Sequence, residues 1–158
     1  MTPQIYSDAQ LVINGKIYNS EENCYGDGWS WEAGSRVLSL YSYHGTGIDC
    51  FGDISIIASG AENTIVGKHR PGIRVRNGDL SISGEGSLIL AESETGICVD
   101  AGTLSITSVH VGISGVAAGI RVHKGLLITG SAVSINRRRN GQKRHAPLTG
   151  RRHYVSSS

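Results

Sequence analysis

The dipeptide Gly-Ile returns at 47–48, 72–73, 96–97 and 119–120, at intervals of 25, 24 and 23 residues. The text after each copy matches as well: GIDCFGDISIIASGAENTI, GIRVRNGDLSISGEGSLIL, GICVDAGTLSITSVHVGI and GIRVHKGLLITGSAVSI. One such unit cannot bury its apolar face alone. Stacked copies can, so four matched units at a nearly constant period read as a solenoid.

Inside each unit the apolar residues alternate in short bursts. The second has Ile73 and Val75, then Leu80 and Ile82, then Leu88 and Leu90. Period-2 bursts are short strands with one buried face, and the Gly, Asn, Asp and Ser between them supply turns. Three strands and three turns per unit make one coil of a single-stranded parallel β-helix, expected in its right-handed form. A leucine-rich repeat would need an L-x-x-L-x-L frame and an Asn ladder, and neither occurs. An antiparallel sandwich would not repeat its sequence. Composition agrees: 22 glycines, 18% charged residues and a single Met and Phe suit a turn-rich all-β chain.

This register fixes which side chains stack. Cys50, Val75, Val99 and Val122 form one inward column, and Ile56, Ile82, Ile106 and Ile128 another. Asp49, Arg74, Cys98 and Arg121 stack outward, as do Ser55, Ser81 and Ser105. Cys50 therefore points in and Cys98 out, against a disulfide between them. The odd count of three cysteines, at spacings that match no zinc pattern, points to incidental thiols. Asp49 beside Arg74 is expected to form an exposed ion pair. Asp53 is expected near Asp79.

Residues 1–136 read as the β-helix domain, with 5–46 as cap and first coil and 47–136 as four repeats. Eight of the nine aromatics lie within residues 1–51. Terminal repeats of solenoids differ because they must close the core, so this aromatic cluster reads as the N-terminal cap. Residues 137–158 carry 7 Lys and Arg and no acid, whereas residues 1–136 carry 8 against 13 acids. That tail has the composition of a solvated, disordered segment. It offers non-specific contacts to polyanions but no specific nucleic-acid readout. No apolar run reaches membrane-spanning length, and no secretory signal is read at Met1–Tyr6. The last coil leaves unpaired backbone, which predicts self-association through the open C-terminal coil.

Gly28-Trp29-Ser30-Trp31, Val37-Leu38-Ser39-Leu40-Tyr41, Gly52-Asp53-Ile54-Ser55-Ile56 and Gly78-Asp79-Leu80-Ser81-Ile82 resemble the repeats of bacterial secreted and surface parallel β-helix proteins. These are related to carbohydrate-binding β-helix domains and, remotely, to pectate lyases. The resemblance spans about residues 11–135. It implies a secreted or cell-surface, non-catalytic module, with polysaccharide as partner. A structural or adhesin stalk and a polysaccharide lyase or hydrolase are the alternatives.

Trp29 and Trp31, two apart on a strand, share a face. With Tyr25, Tyr41 or Tyr43 they form a candidate sugar-stacking platform, since aromatic faces suit the apolar faces of pyranose rings. The competing reading, that the Trp pair plugs the end of the core, is the favoured one. Glu21, Glu22, Asn23, Asp27 and Glu32 form an acidic loop with calcium-type oxygen donors, but the Asp-x-Asp-x-Asp pattern is missing and a solvated loop is favoured. No other cofactor is indicated. Lyase chemistry would need clustered carboxylates, and no stacked column holds three. The histidines are scattered and frame no catalytic motif. No catalytic residue is assigned.

Overall fold

The computed structural model describes residues 9–68 and 70–137, together with Arg144–His145 and Leu148–Thr149. Expectations for residues 5–8, for His69 and for the remainder of the tail lie outside the described residues.

Three sheets run the length of a β-solenoid of about four turns, one strand per sheet per turn. The first sheet stacks β7 (Ile48–Phe51), β10 (Ile73–Arg76), β13 (Thr95–Val99) and β16 (Ala118–Val122) in parallel. The second stacks β5 (Val37–Tyr41), β8 (Ile54–Ser59), β11 (Leu80–Gly84), β14 (Thr103–Thr107) and β17 (Gly125–Thr129). The third stacks β6 (His44–Thr46), β9 (Asn63–Val66), β12 (Ser87–Ala91), β15 (His110–Val116) and β18 (Ala132–Arg137). The strands are short because each coil must turn three times within two dozen residues, and their inward residues alternate with outward ones.

The repeat register is the sheet register. Cys50 pairs Val75, Val75 pairs Val99, and Val99 pairs Val122. Ile56, Ile82, Ile106 and Ile128 form a second inward ladder. These residues lie in one continuous core.

Two antiparallel hairpins close the N-terminal end. β1 (Gln10–Ile13) lies antiparallel to β7 and pairs on its other side with β2 (Lys16–Asn19). β4 (Trp29–Glu32) lies antiparallel to β5, and β3 (Cys24–Gly26) lies antiparallel to β4 at the edge of the second sheet. Reversing strand direction ends the parallel stack, and the cap's aromatics fill the space beneath. At the other end, β16 and β17 are the last strands of their sheets, whereas β18 pairs antiparallel with β19 (Arg144–His145) and β20 (Leu148–Thr149). The described pieces of the basic tail are thus strands lying on the third sheet.

One expected ion pair is replaced by two others. Asp49 and Arg74 are register partners, yet the ion pairs run diagonally, Arg76 to Asp49 at 3.0 Å and Arg74 to Asp100 at 2.9 Å. A long guanidinium reaches past its direct neighbour and meets the short carboxylate end-on with two nitrogens; Arg76 Nε and Nη2 take the two oxygens of Asp49.

Candidate functional site

The cap aromatics divide into two groups. Trp29 and Trp31 alternate inward on β4, opposite Leu40 and Leu38 of β5. They are 6% and 2% exposed, and Tyr43 is 1% exposed. Trp31 Nε1 donates to the Ser20 carbonyl at 2.9 Å, and Arg36 lies 5.4 Å from the Trp31 ring centroid. Trp29 meets Tyr18 edge to face at 5.1 Å. The Tyr43 hydroxyl donates to the Thr46 carbonyl, and burial pushes that phenol up to about 12. No open ring face remains on Trp29, Trp31 or Tyr43 for a sugar to stack on, so these three leave the candidate platform and belong to the cap core.

Tyr25 and Tyr41 are 81% and 67% exposed. Register explains why. Tyr25 pairs Ser30, and Ser30 pairs Ser39. All three therefore point away from the Trp face, and Tyr41 follows two residues beyond Ser39 on the same outer side. From strand spacing and rise, the two tyrosines stand roughly 12 Å apart at Cα.

Beyond them the outer face of the second sheet is uncharged. Ser55, Ser81, Ser105 and Leu127 form one outward column. Ser39, Ile57, Ser83, Thr107 and Thr129 form the next. No Lys, Arg, Asp or Glu points outward from β8, β11, β14 or β17. Ranks of hydroxyls recur about every 4.8 Å along the axis, the distance between adjacent strands. Ile57 and Leu127 add exposed apolar surface between the hydroxyls.

The acidic loop does not assemble a calcium site. Among the described residues, no group of three His, Cys, Asp or Glu side chains converges on a metal position. Glu21, Glu22 and Asp27 are all exposed. Their polar neighbours serve turns instead: Asn19 Oδ1 accepts from Glu21 N–H, Asn23 Oδ1 from Ala33 N–H, and Glu32 from the Ser35 hydroxyl. Asp53 and Asp79 are neighbours as expected, but as a ladder of turn caps. Asp53 Oδ1 accepts the Asp79 N–H and Asp79 Oδ1 accepts the Thr103 N–H, both at 2.9 Å.

The cysteines are free thiols. Burial raises all three, with the charge of Glu22 adding to it at Cys24. Cys98 is held at about 11 by burial and by its hydrogen bond to Asp100 Oδ1. A reactive thiol needs the opposite shift.

The first sheet differs from the second in carrying charge. A groove of about 710 Å³ lies over it, between the β1–β2 hairpin and the turn leading into β10. Lys68, Arg70, Arg74 and Arg76 line it, with Asp49 as its one carboxylate. Sequence reading placed Arg74 in an outward column but did not bring Lys68 and Arg70 to the same wall. The GIRVR alternation shows that Arg74 and Arg76 share the outer face. The path of the turn is not written in any local pattern.

Fold and surface together define a β-solenoid whose second sheet bears hydroxyls and no outward charge on β8, β11, β14 and β17, with exposed tyrosines on β3 and β5. No protein-family model matches the chain, and no curated protein or solved structure matches it.

Proposed function

We propose that the chain is a non-catalytic polysaccharide-binding module of a secreted or cell-surface protein, and that the outer face of the second sheet is its binding surface. The observation that carries this reading is the exposure of Tyr25 and Tyr41 beside two outward columns rich in Ser and Thr. Exposed rings offer stacking to the apolar faces of sugars. Hydroxyls at a fixed repeat offer hydrogen bonds to a polymer that itself repeats. The outer faces of β8, β11, β14 and β17 carry no charge, so covering them desolvates no ionised group and a neutral glycan is the fitting ligand. The stalk alternative predicts neither accessible aromatics nor a groove, and both are present. The lyase alternative asks for a groove with two convergent carboxylates. The groove on the first sheet is lined by one, Asp49, whose oxygens are held by Arg76. The secreted or surface location is supported by the repeat resemblance alone.

The test is a pull-down of the full chain on insoluble neutral polysaccharides, with Tyr25→Ala, Tyr41→Ala and the double variant. Both side chains are exposed, so the variants keep the fold, checked by circular dichroism. Binding by the parent chain that is lost in the double variant supports the reading. Undiminished binding by the double variant, or none by the parent, ends it.

A second reading concerns a second copy of the chain. β16 and β17 each have one strand neighbour among the described residues, which leaves two edges for a partner strand.

A further inference from the structure

The groove on the first sheet sits on a different face of the solenoid from Tyr25 and Tyr41, and the argument for it is independent of them. Its walls carry four cations and one carboxylate. Two of the cations are already fixed. Arg74 places Nε and Nη2 on Asp100 Oδ2, and Arg76 places Nε and Nη2 on Asp49. A guanidinium has five N–H donors in a rigid fork, so each pinned arginine keeps further donors in a set orientation. The carboxylates act here as positioning groups that present the remaining N–H groups to the groove.

Lys68 and Arg70 are the other two cations. Both are exposed and form no ion pair among the described residues. They stand in the turn before Pro71, held by the Arg70 N–H to Gly67 carbonyl bond and by the Glu94 N–H donating to the Arg70 carbonyl. Lys68 has a φ of 54°, a conformation a lysine adopts at some cost. Ile17, 54% exposed on β2, gives the opposite wall an apolar surface.

The positive strip continues along the axis. Arg74, Cys98 and Arg121 are successive register partners, so Arg121 lies two coils above Arg74 on the same outer column. Arg121 is half-buried, and its Nε, itself buried, has no hydrogen-bond partner among the described residues. A guanidinium charge thus recurs from the groove toward β16. A single small anion would satisfy one end of this strip only.

The geometry points to an anionic polysaccharide chain, bearing carboxylate or sulfate groups, lying in this groove along the solenoid axis. Lys68 and Arg70 take one anionic group, Arg74 and Arg76 the next, and Arg121 one further along.

The experiment uses three polymers with one backbone: dextran, carboxymethyl-dextran and dextran sulfate. Binding to the immobilised full chain is measured at low and at physiological salt. The variants are Lys68→Asn with Arg70→Gln, and separately Arg121→Gln. Asn tolerates the positive φ of position 68. All variants keep the basic tail, so attraction by the tail alone is the same in each. The expected result is tighter binding to one or both charged dextrans than to dextran, with affinity for the charged form falling about tenfold in the Lys68/Arg70 variant, as loss of two charge-assisted contacts implies. Arg121→Gln falls in the same direction. Which charged dextran binds more tightly tells carboxylate from sulfate. Equal binding of dextran, no binding of either charged form, or variants that bind like the parent overturns the proposal.

Discussion

The indole N–H of Trp31 donates to the backbone carbonyl of Ser20 at 2.9 Å, joining β4 to the loop before β3. Both residues are buried, so neither group has water to turn to. Trp31→Phe keeps a ring in the cap and leaves that carbonyl unpaired, with an expected cost of about 1–3 kcal/mol. Trp31→Ala also opens a cavity, with an expected cost of about 3–5 kcal/mol. Urea unfolding followed by circular dichroism checks both. A loss of polysaccharide binding in a Trp31→Phe variant of parent-like stability would return this residue to the binding surface.

Asn63 interrupts an apolar column, since its register partner in the next coil is Leu88. Its amide is fully used. Oδ1 accepts the Tyr43 N–H at 2.8 Å, and Nδ2 donates to the Ser59 and Ser87 carbonyls at 3.0 and 3.2 Å. Asn63→Leu would restore the column but orphan the buried Tyr43 N–H and the two part-buried carbonyls. We expect it to cost about 3 kcal/mol, close to Asn63→Ala, because unpaired groups outweigh the regained apolar area. If Asn63→Leu matched the parent chain in a denaturant titration, packing would be the governing term here.

The columns through Cys50 and Ile56 were legible because a repeat of fixed length leaves one register in which apolar residues stack. The burial of Trp29 and Trp31 was equally legible, since open solenoid ends need large apolar side chains. Partners that depend on side-chain reach were not. Asp49 lies beside Arg74 in register, and only the length of an arginine decides that Arg76 takes it instead. The groove was hidden for a similar reason. Lys68 and Arg70 belong to a turn, whose direction depends on the positive φ at Lys68 and the backbone bonds around Pro71, not on any alternation. Within the aromatic set, the parity of Tyr25 against Trp29 and Trp31 becomes visible only when the β3–β4 hairpin register is known.

Three protonated groups make stability fall at high pH. Burial lifts Cys50 and Cys98 from an ordinary 9.0 to about 11, and Tyr43 from 10.0 to about 12. Each is neutral when protonated, and the folded chain holds its proton to higher pH than the unfolded chain. Their contribution is therefore whole below about pH 9 and is lost as pH rises toward 12. Unfolding midpoints should hold steady from pH 7 to 9 and drop beyond, with a shallower drop in Cys50→Ala. A midpoint that stays flat to pH 12 would contradict the burial of these groups. The same shifts make Cys98 react slowly with iodoacetamide at pH 8, although it is only half-buried.

The C-terminal end sets up the remaining expectation. β16 and β17 present one unpaired edge each among the described residues, while β18 is covered by β19 and β20. Leu127 stands 54% exposed on β17, at the end of the column that runs through Ser55, Ser81 and Ser105. Unpaired edges with exposed apolar side chains recruit strands from other copies. Two copies meeting at this end would also bring together two tails, each with seven Lys and Arg and no acid. Their repulsion opposes association at low ionic strength and is screened within about 8–10 Å at physiological salt. Association should therefore grow with both protein concentration and salt, the reverse of an ion-pair-driven dimer. Light scattering after size exclusion at 20 mM and 300 mM salt reads this directly, with masses above 16.7 kDa expected only at the higher value. Leu127→Lys should return the chain to that mass at both, since a charged edge residue opposes pairing. A parent chain that is monomeric throughout would mean that the edges of β16 and β17 are closed within one copy.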